Sequence, residues 1–284
     1  MNSPSPLAQT AGSHSSSEAP QIPSNPFAHL DGAADEAQRR VIRYLDAAAA
    51  HPEMQRMRSA ANEMFAPAPG ERLLDVGCGA GEVARQLAAR VGAEGSVAAV
   101  DQSALAVSVA ESRHDGTSVD YSVGDITALD FPGGHFDGVR CERVLQHLPD
   151  PDGAIQELIR VTRPGGRVCV IDTDWTSYVW DGFDHMSDVA GQFPFPHPAA
   201  GRTARARMVK AGIRATTTLP VTLRFTVPED AAAVVPFFDD EALRICVQPE
   251  LTKRFLTSVR HSAERGDFLF AFTMWITIGR VAAA

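Results

Sequence analysis

A glycine-rich stretch at residues 72–84 constrains the fold of this chain more than any other feature. Leu73, Leu74 and Val76 are typical of a buried strand, and apolar residues return at helical spacing from Val83 onward. Between them stand three glycines at alternate positions, which let backbone N–H groups approach a ligand because no Cβ intervenes. The helix that follows directs its positive end at the same place. The stretch therefore predicts a nucleotide-binding turn between a strand and a helix.

The spacing of the glycines distinguishes between kinds of nucleotide site. A dinucleotide pattern, G-x-G-x-x-G, would place its third glycine at the position of Glu82, and no P-loop lysine follows. The chain instead reads D-x-G-x-G-x-G, with Asp75 at the end of the strand. This pattern resembles the first motif of the class I S-adenosylmethionine (SAM) methyltransferases, whose fold is a seven-stranded relative of the Rossmann sheet. From this stretch alone, a chance strand-to-helix turn is the alternative.

Further motifs that resemble this family follow in the expected order over residues 71–175. Asp101 ends the next apolar strand, 20 residues beyond Gly81, where the resemblance implies an acid that accepts hydrogen bonds from the ribose hydroxyls. The stretch 124–126 (G-D-I) resembles the element that contacts adenine. The stretch 163–167 (R-P-G-G-R) resembles the turn that precedes the fifth strand. A helix cap at Asp101 and a simple turn at 124–126 are the alternatives.

The segment after the fourth strand narrows the branch of the family. Residues 143–148 read R-V-L-Q-H-L, which resembles the ubiquinone/menaquinone-type enzymes and natural-product tailoring enzymes of actinobacterial style. The N/D-P-P-Y motif of the DNA amino-methyltransferases is absent there. Only Glu142 stands where the metal-dependent catechol enzymes carry metal-binding acids. The resemblance therefore implies an enzyme that needs no metal.

The resemblance also implies a set of residues that hold the cofactor SAM, whose product is S-adenosylhomocysteine. Arg58 or Arg143 would pair with the carboxylate of the cofactor, and a solvated or structural role is the alternative for either. The residues expected to bind the cofactor are Arg58, Asp75, Gly77, Cys78, Gly79, Gly81, Asp101, Gln102, Asp125, Ile126, Glu142 and Arg143.

The chemistry of the acceptor indicates two candidate catalytic residues. Methyl transfer from a sulfonium is an in-line displacement, for which positioning alone can contribute ~7–11 kcal/mol. A hydroxyl acceptor also gains from a base, and His147 is the candidate, on the first turns of the helix after the fourth strand, with an ordinary pKa near ~6.5. Asp174, at the end of the fifth strand, could orient an amine or pair with a histidine. The alternative for His147 is a role in helix packing or capping, and the alternative for Asp174 is a loop cap.

Aromatic side chains near the expected acceptor site complete the set of candidates. Core packing is the alternative for each of them. The residues expected to contact the acceptor are Tyr44, Trp175, Tyr178 and Phe193.

The alternation of strand and helix patterns predicts an α/β fold with a Rossmann-like seven-stranded sheet, mostly parallel with the last strand antiparallel. Two helices precede the glycine loop, where they would form a lid or merely cover a sheet edge. The expected divisions are a disordered tail at 1–26, an N-terminal helical lid at 27–66, a SAM-binding core at 67–284, and substrate-covering inserts at 176–200 and 227–266, the second of them helical and placed before the last strand.

Composition excludes several other classes of function. The net charge is −9, and Lys and Arg form no cluster, which argues against a nucleic-acid partner. The four cysteines show no C-x-x-C spacing, so we expect reduced thiols and no metal site. No apolar run reaches the ~18 residues of a membrane span, and residues 1–26 lack the basic and apolar regions of a signal peptide. We expect a cytoplasmic protein, monomeric or homodimeric.

These observations together predict a SAM-dependent methyltransferase that modifies a nitrogen or oxygen atom of a small molecule. Tailoring of a secondary metabolite, as in antibiotic biosynthesis, is the expected setting. Two alternatives stay open from the sequence: a SAM-binding catalyst or regulator that transfers no methyl group, and a quinone C-methyltransferase.

Overall fold

The computed structural model describes residues 35–113 and 115–283, which form ten α-helices and seven strands. Two 3-10 helices, Leu145–His147 and Pro236–Phe238, connect some of them. The expected tail at 1–26 and residues 27–34 of the expected lid lie outside the described residues. In chain order the elements are α1 (Asp35–Ala50), α2 (Pro52–Phe65), β1 (Arg72–Val76), α3 (Glu82–Val91), β2 (Ser96–Asp101), α4 (Ala104–Ser112), β3 (Val119–Val123), β4 (Phe136–Glu142), α5 (Pro151–Val161), β5 (Thr162–Asp181), α6 (Met186–Ala190), α7 (Ala200–Lys210), β6 (Arg214–Phe225), α8 (Pro228–Ala232), α9 (Asp240–Cys246), α10 (Pro249–Arg265) and β7 (Leu269–Arg280).

The seven strands form one sheet in the order β3-β2-β1-β4-β5-β7-β6. Strands β1 to β5 pair in parallel, and β7 runs antiparallel to both of its neighbours. The predicted Rossmann-like sheet with an antiparallel last strand is therefore confirmed. The order reverses between β1 and β4, so the crevice in which open α/β sheets bind ligands lies at the C-terminal ends of these two strands.

Helices cover both faces of the sheet, as a parallel sheet requires. One apolar cluster joins the sheet to α2, α3 and the second insert, and the other joins it to α5 and α7. In β5, Cys169 and Ile171 belong to the first cluster while Val168 and Val170 belong to the second. This run of consecutive buried residues explains why the strand reads as continuously apolar in the sequence.

Strand β5 extends further than its sequence indicates. The sequence places its end near Trp175 and a loop after it, but pairing with β7 resumes beyond an irregularity and continues to Asp181. The cause is the length of β7, whose residues Leu269, Phe270 and Ala271 supply backbone partners for the added part of β5. The first insert thus begins as a strand.

The second insert is helical, as expected, and lies between β6 and β7. It brings Phe237, Phe238 and Phe255 into the larger apolar cluster. No helix in the described ranges is long and apolar enough to cross a membrane. The cytoplasmic location itself stays a prediction.

Candidate active site

The glycine loop lies at the crevice between β1 and β4, and its shape depends on the absence of side chains. Gly77 and Gly81 have φ of +75° and +80°, a region that favours glycine. Gly77 donates its N–H to the Val100 carbonyl at 2.7 Å, which ties the loop to β2. A Cβ on Gly77 would stand 2.2 Å from Val144 Cγ2, and one on Gly81 would stand 2.5 Å from Tyr121 Oη. Other residue types therefore do not fit at these two positions.

Asp101 holds the loop from the end of β2. Its Oδ2 accepts the Gly79 N–H at 2.8 Å, and its Oδ1 accepts the Ser103 N–H at 3.0 Å. A carboxylate offers about four acceptor positions, and two of them bind the loop and the N-cap of α4 here. Gln102, beside it, is exposed. Asp101 thus fixes the loop from the end of β2.

The part of the crevice that is expected to bind adenine is more exposed to solvent than the glycine loop. Asp125 is exposed, and its Oδ1 accepts both the N–H and the hydroxyl of Thr127 at 2.8 Å. Ile126 is buried, at 6% exposure, in the cluster beneath the crevice. Cys78 is buried too, and burial raises the pKa of its thiol well above the usual range. These residues form the part of the crevice where the adenine ring of the cofactor is expected to bind.

A buried charged network lies behind the loop on α2 and β4. Arg58 donates from Nε and Nη2 to Glu142 Oε1 at 2.9 and 2.8 Å, and Arg140 Nη2 donates to Glu142 Oε2 at 2.6 Å. Burial alone would raise the pKa of Glu142, but the two arginines lower it to about 2. Both oxygens of Glu142 are engaged by protein groups. The contact of Glu142 with the cofactor stays a prediction.

Three buried polar atoms in or beside this network have no hydrogen-bond partner among the described residues. They are Asp75 Oδ2, Arg58 Nη1 and Arg140 Nε. Burial raises the pKa of Asp75 to about 7, against the opposing charge of Arg140. Buried groups of this kind are costly unless a ligand or water satisfies them. An α-amino acid group would do so, with its ammonium on Asp75 and its carboxylate on Arg58, and SAM ends in such a group.

Arg143 follows β4 in a left-handed conformation, with φ of +58°. Its Nη2 donates to Tyr44 Oη at 2.9 Å, and the guanidinium lies 5.7 Å from the centre of that ring. Burial would lower the pKa of Arg143, but Tyr44, Glu142 and Asp172 raise it, so the side chain stays charged. Among the described residues no carboxylate forms an ion pair with it. Arg143 is thus a cation whose side-chain partner is a neutral hydroxyl.

His147 lies in the 3-10 helix that follows β4. Its ring contacts Phe195, with centroids 5.8 Å apart, and its Nε2 lies 3.0 Å from Gln146 Nε2. Burial, and then the charge of Arg143, lower the pKa of His147 to about 3. The expected pKa near that of free imidazole is therefore wrong for this environment. At neutral pH the ring is neutral and a weak base.

Among the described residues, the ion-pair partner of Asp174 is Arg202. Its Oδ2 accepts from Arg202 Nε at 2.9 Å, and its Oδ1 accepts the Thr176 N–H at 3.0 Å. The residue is 2% exposed. The carboxylate of Asp174 thus forms an ion pair with α7 and accepts a hydrogen bond within the turn that follows it. Both contacts stabilise the local structure. These contacts agree with the loop-cap alternative, and a role in orienting an amine stays a prediction.

A mostly apolar cavity lies between α1, the first insert and the second insert, and its lining also includes the charged residues Arg40 and Asp239. Tyr44 and Phe193 line it, as expected for residues that contact an acceptor. Trp175 instead is 4% exposed and donates its ring N–H to Gln146 Oε1 at 2.7 Å, and Tyr178 packs on two phenylalanines. Trp175 belongs to the core, and Tyr178 is partly buried against it. Further lining residues, which the sequence did not single out, include Val41, Phe195, Ile245 and Cys246.

Helix α1 covers the crevice. A Cβ on Gly79 would lie 3.5 Å from Leu45 Cδ1, so α1 packs directly over the glycine loop. Asp46 accepts two hydrogen bonds from Arg113, at 2.5 and 2.8 Å, which fasten the helix to the end of α4. Tyr44 Oη donates to the Val234 carbonyl of the second insert. Helix α1 therefore touches both the expected cofactor site and the cavity.

The cysteines form no disulfide among the described residues, where Cys78, Cys141 and Cys169 are buried and Cys246 is partly exposed. In the same ranges, no group of three or more His, Cys, Asp or Glu side chains could hold a metal ion.

Comparison with known proteins agrees with the fold. A family model described as a methyltransferase domain matches residues 74–170. An uncharacterized 37.1 kDa protein from transposon TN4556 of Streptomyces fradiae is 32% identical over 252 residues, or 84% of this chain and 71% of that protein. An uncharacterized methyltransferase of Schizosaccharomyces pombe is 31% identical over 217 residues, or 69% of this chain and 70% of that protein.

Other similarities are shorter or more distant. The 2-phytyl-1,4-naphtoquinone methyltransferase of Synechococcus elongatus is 37% identical over 108 residues, which are 37% of this chain and 46% of that enzyme. The chain thus spans less than half the length of this relative. The crystal structure of phosphoethanolamine N-methyltransferase 2 from Haemonchus contortus superposes with a TM-score of 0.59 at 20% identity, over 92% of this chain and 60% of the other. At that identity the likeness shows the fold alone.

The fold, the glycine loop and these relatives define one class of protein, the SAM-dependent methyltransferases. The chain belongs to the class I methyltransferase family, and its matching region is the methyltransferase domain at residues 74–170. It is therefore an enzyme that uses SAM as methyl donor.

Proposed function

We propose that this enzyme transfers the methyl group of SAM to a nitrogen or oxygen atom of a small apolar molecule, in the tailoring of a secondary metabolite. The observation that carries the proposal is the apolar cavity beside the end of β4. Its lining includes Tyr44, which contacts Arg143, and Phe195, which contacts His147. A mostly apolar cavity with a few polar groups in its lining is typical of a site for a small molecule.

The proposed cofactor site follows from the geometry of the crevice. The glycine loop lets the ligand approach the backbone, Asp101 accepts the ribose hydroxyls, and the edge at Asp125 and Ile126 receives the adenine. Asp75 and Arg58 hold the ammonium and the carboxylate. Bound SAM supplies an activated methyl group on a sulfonium. The task of the protein is then chiefly to align the acceptor with it.

We also propose that α1 and the two inserts close over the reacting groups. The packing of Leu45 on the glycine loop and the bonds of Tyr44 support this role for α1. Closure excludes water and holds the acceptor in line. Because the cavity is built from three parts of the chain that would close together, we expect it to be complete only in the closed form.

Quinone C-methylation is the second candidate, supported by the similarity to the naphthoquinone enzyme. That similarity spans 108 residues, and the family model ends at residue 170. The walls of the cavity come from α1, the first insert and α9, outside residues 74–170. The region shared with that enzyme would therefore bind the cofactor, and the acceptor would be bound by the rest of the chain.

The proposal is tested with SAM that carries a deuterated methyl group, incubated with the enzyme and a panel of apolar phenols, carboxylic acids and amines. We expect S-adenosylhomocysteine to form together with an acceptor whose mass gains one labelled methyl group. Ile245→Trp, which enlarges a side chain that lines the cavity, should abolish this gain while cofactor binding persists. Equal turnover of wild type and Ile245→Trp would contradict the proposed acceptor site.

A further inference from the structure

We propose that Gln146 is a positioning residue that holds His147 in one neutral tautomer, with the ring proton on Nδ1 and the lone pair of Nε2 bound by the Gln146 amide. The ring then acts toward other groups as a hydrogen-bond donor and not as a base. The inference concerns the protein alone and goes beyond the proposed function, because it holds whatever the acceptor is.

Gln146 lies at the centre of a buried hydrogen-bond network that follows the end of β4. The residue is 1% exposed. Its Oε1 accepts the ring N–H of Trp175 at 2.7 Å. Its Nε2 lies 3.0 Å from His147 Nε2 and donates to the Arg143 carbonyl at 3.4 Å. The side-chain amide therefore joins three other residues.

Trp175 decides which way the Gln146 amide points. The oxygen and the nitrogen of an amide have nearly the same shape, so their positions are assigned from their partners. An indole nitrogen can only donate a hydrogen bond, so the amide atom that faces Trp175 must be the oxygen. The reverse orientation would place two buried donors against each other, at a cost in free energy. The amide nitrogen consequently faces His147.

The orientation of the amide fixes the position of the proton on the His147 ring. The amide nitrogen carries two hydrogens and accepts none, so His147 Nε2 has to be the acceptor of this contact. A neutral imidazole whose Nε2 accepts carries its proton on Nδ1. An imidazolium would place a second donor against the amide, and the burial that lowers the pKa of His147 opposes it too.

The surrounding backbone holds this arrangement in place. The Gln146 N–H donates to Asp172 Oδ2 at 3.3 Å, and the Gln146 carbonyl accepts the His197 N–H at 3.3 Å. The Trp175 ring, which orients the amide, stacks on Phe195 with centroids 5.2 Å apart. Strand β5 and the first insert therefore fix the amide from two sides.

The charges around the 3-10 helix also disfavour a protonated ring. The positive charge of Arg143 lowers the pKa of His147, because like charges disfavour the ionised form. Helices α5 and α7 and strand β5 pack around this 3-10 helix. Charged side chains on these elements are engaged with partners of their own, in the pairs Asp172 with the Gln146 N–H, Asp174 with Arg202, Asp152 with Arg207, and Glu157 with Arg160.

This network gives His147 a different character from the base that the sequence suggests. A base needs an electron pair that can take up a proton from the acceptor. The pair on Nε2 is bound by Gln146, and Nδ1 already carries a proton. A group that meets Nδ1 therefore accepts a hydrogen bond from the ring.

The experiment observes the ring nitrogens of the full-length protein labelled with 15N in histidine. Their chemical shifts, recorded through couplings to the carbon-bound ring protons, distinguish a protonated nitrogen from a bare one. The signals of His147 are those that disappear in His147→Ala. We expect the wild type to show a bare Nε2 and a protonated Nδ1, without change from about pH 5 to pH 8. A protonated Nε2 in this range would overturn the inference.

Gln146→Glu tests whether the amide fixes the tautomer. The carboxylate keeps an acceptor for Trp175 and replaces the amide donor with a second acceptor, and the Trp175 N–H and the Arg143 charge favour its ionised form. At about pH 8 we expect the ring proton on Nε2, and at lower pH we expect a second proton to bind, so that the ring titrates where the wild-type ring does not. Gln248→Glu, the same change at the exposed N-cap of α10, is the matched control and should leave the His147 signals unchanged.

Gln146→Met removes the amide donor without adding a charge. We expect the shifts of the two ring nitrogens to move toward each other, because the ring then exchanges between tautomers. A purely structural role for Gln146 would lower stability without moving these signals. Wild-type signals of His147 in both Gln146→Glu and Gln146→Met would therefore reject Gln146 as the residue that positions the proton.

The wild-type spectrum alone decides the tautomer, so the inference can be rejected even where a variant fails to fold. None of these spectra needs an acceptor. A failure of methyl transfer and a failure of this inference are thus seen in separate experiments.

Discussion

Asp75 connects protonation to cofactor binding at the scale of single residues. Burial raises its pKa from an ordinary 3.8 to about 7, so near pH 6 the unliganded protein holds a proton there. The unfolded chain does not hold that proton. Between these two pKa values the folded state therefore binds more protons, and this group's contribution to stability falls as pH rises.

We predict that the affinity for S-adenosylhomocysteine rises with pH up to about 7 and then levels off. An ammonium binds the ionised form of Asp75, so binding releases a proton at lower pH, and the slope approaches at most about tenfold per pH unit. Calorimetry in two buffers of different ionisation enthalpy measures both the affinity and the proton release. Asp75→Asn should remove the pH dependence. A wild-type affinity that is flat from about pH 5.5 to 7.5 would reject Asp75 as the ammonium partner.

The glycine loop offers a matched pair of substitutions. Gly70 and Gly77 have similar φ, +80° and +75°, but a Cβ at Gly70 meets nothing within 4 Å while one at Gly77 would stand 2.2 Å from Val144 Cγ2. Gly70→Ala should cost about 1–2 kcal/mol in unfolding free energy through backbone strain alone. Gly77→Ala should cost more and abolish cofactor binding. Denaturant titration and calorimetry check both, and equal costs would show that the Val144 contact does not matter.

His147 should have a modest role in the rate. Its pKa near 3 leaves the ring neutral over the physiological range, so it cannot act as an efficient base there. We predict that His147→Ala lowers kcat by less than about tenfold, whereas a general base would contribute about 10²–10⁴-fold. A kinetic limb near pH 6.5 that disappears in the variant would instead restore the role as a base.

The sequence predicted these individual groups unevenly, for a physical reason. Glycines 77, 79 and 81 and Asp101 act through local backbone geometry, which their spacing encodes. The environments of His147 and Asp174 depend on Phe195 and Arg202, which reach them from distant parts of the chain. A pKa or an ion pair of that origin cannot be inferred from nearby residues.

At the scale of elements, α1 is held over the crevice partly by an ion pair whose two side chains are partly exposed to solvent. Asp46 and Arg113 are 44% and 32% exposed, so their ion pair should add only about 0–1 kcal/mol to global stability. The pair nevertheless joins α1 to the end of α4. It can therefore affect the motion of α1 more than the unfolding of the protein.

We predict that Asp46→Ala speeds dissociation of S-adenosylhomocysteine severalfold, with a change in unfolding free energy below about 1 kcal/mol. Stopped-flow measurement of dissociation and hydrogen exchange of α1 amides test this. Glu36→Ala is the matched control, because the Glu36 carboxylate accepts hydrogen bonds from Arg39 and Arg43 of the same helix. If both variants release the ligand at the wild-type rate, the fastening role of Asp46 is rejected.

The pattern of elements was predictable where each strand alternates with a helix, from β1 to the start of β5. The extension of β5 to Asp181 was not, because its partner Leu269 lies far along the chain. Val179 and Trp180 are exposed there, so no buried periodicity marked them as strand. Pairing between distant segments decided this part of the fold.

At the scale of the whole molecule, the cavity is assembled from α1, the first insert and the second insert. The sequence predicted Tyr44 and Phe193 as lining residues, and it predicted Trp175 and Tyr178 as well, which pack in and against the core. Aromatic composition alone cannot separate the two cases. The direction of each side chain depends on how the inserts pack on the sheet.

The central claim is that the crevice at β1 and β4 presents the cofactor to this cavity. A crystal structure with S-adenosylhomocysteine tests it most directly. The account predicts the ammonium of the ligand on Asp75 Oδ2, its carboxylate on Arg58 and its sulfur facing Arg143, Tyr44 and the cavity. A ligand whose carboxylate lies on Arg143, or whose sulfur faces away from the cavity, would contradict it.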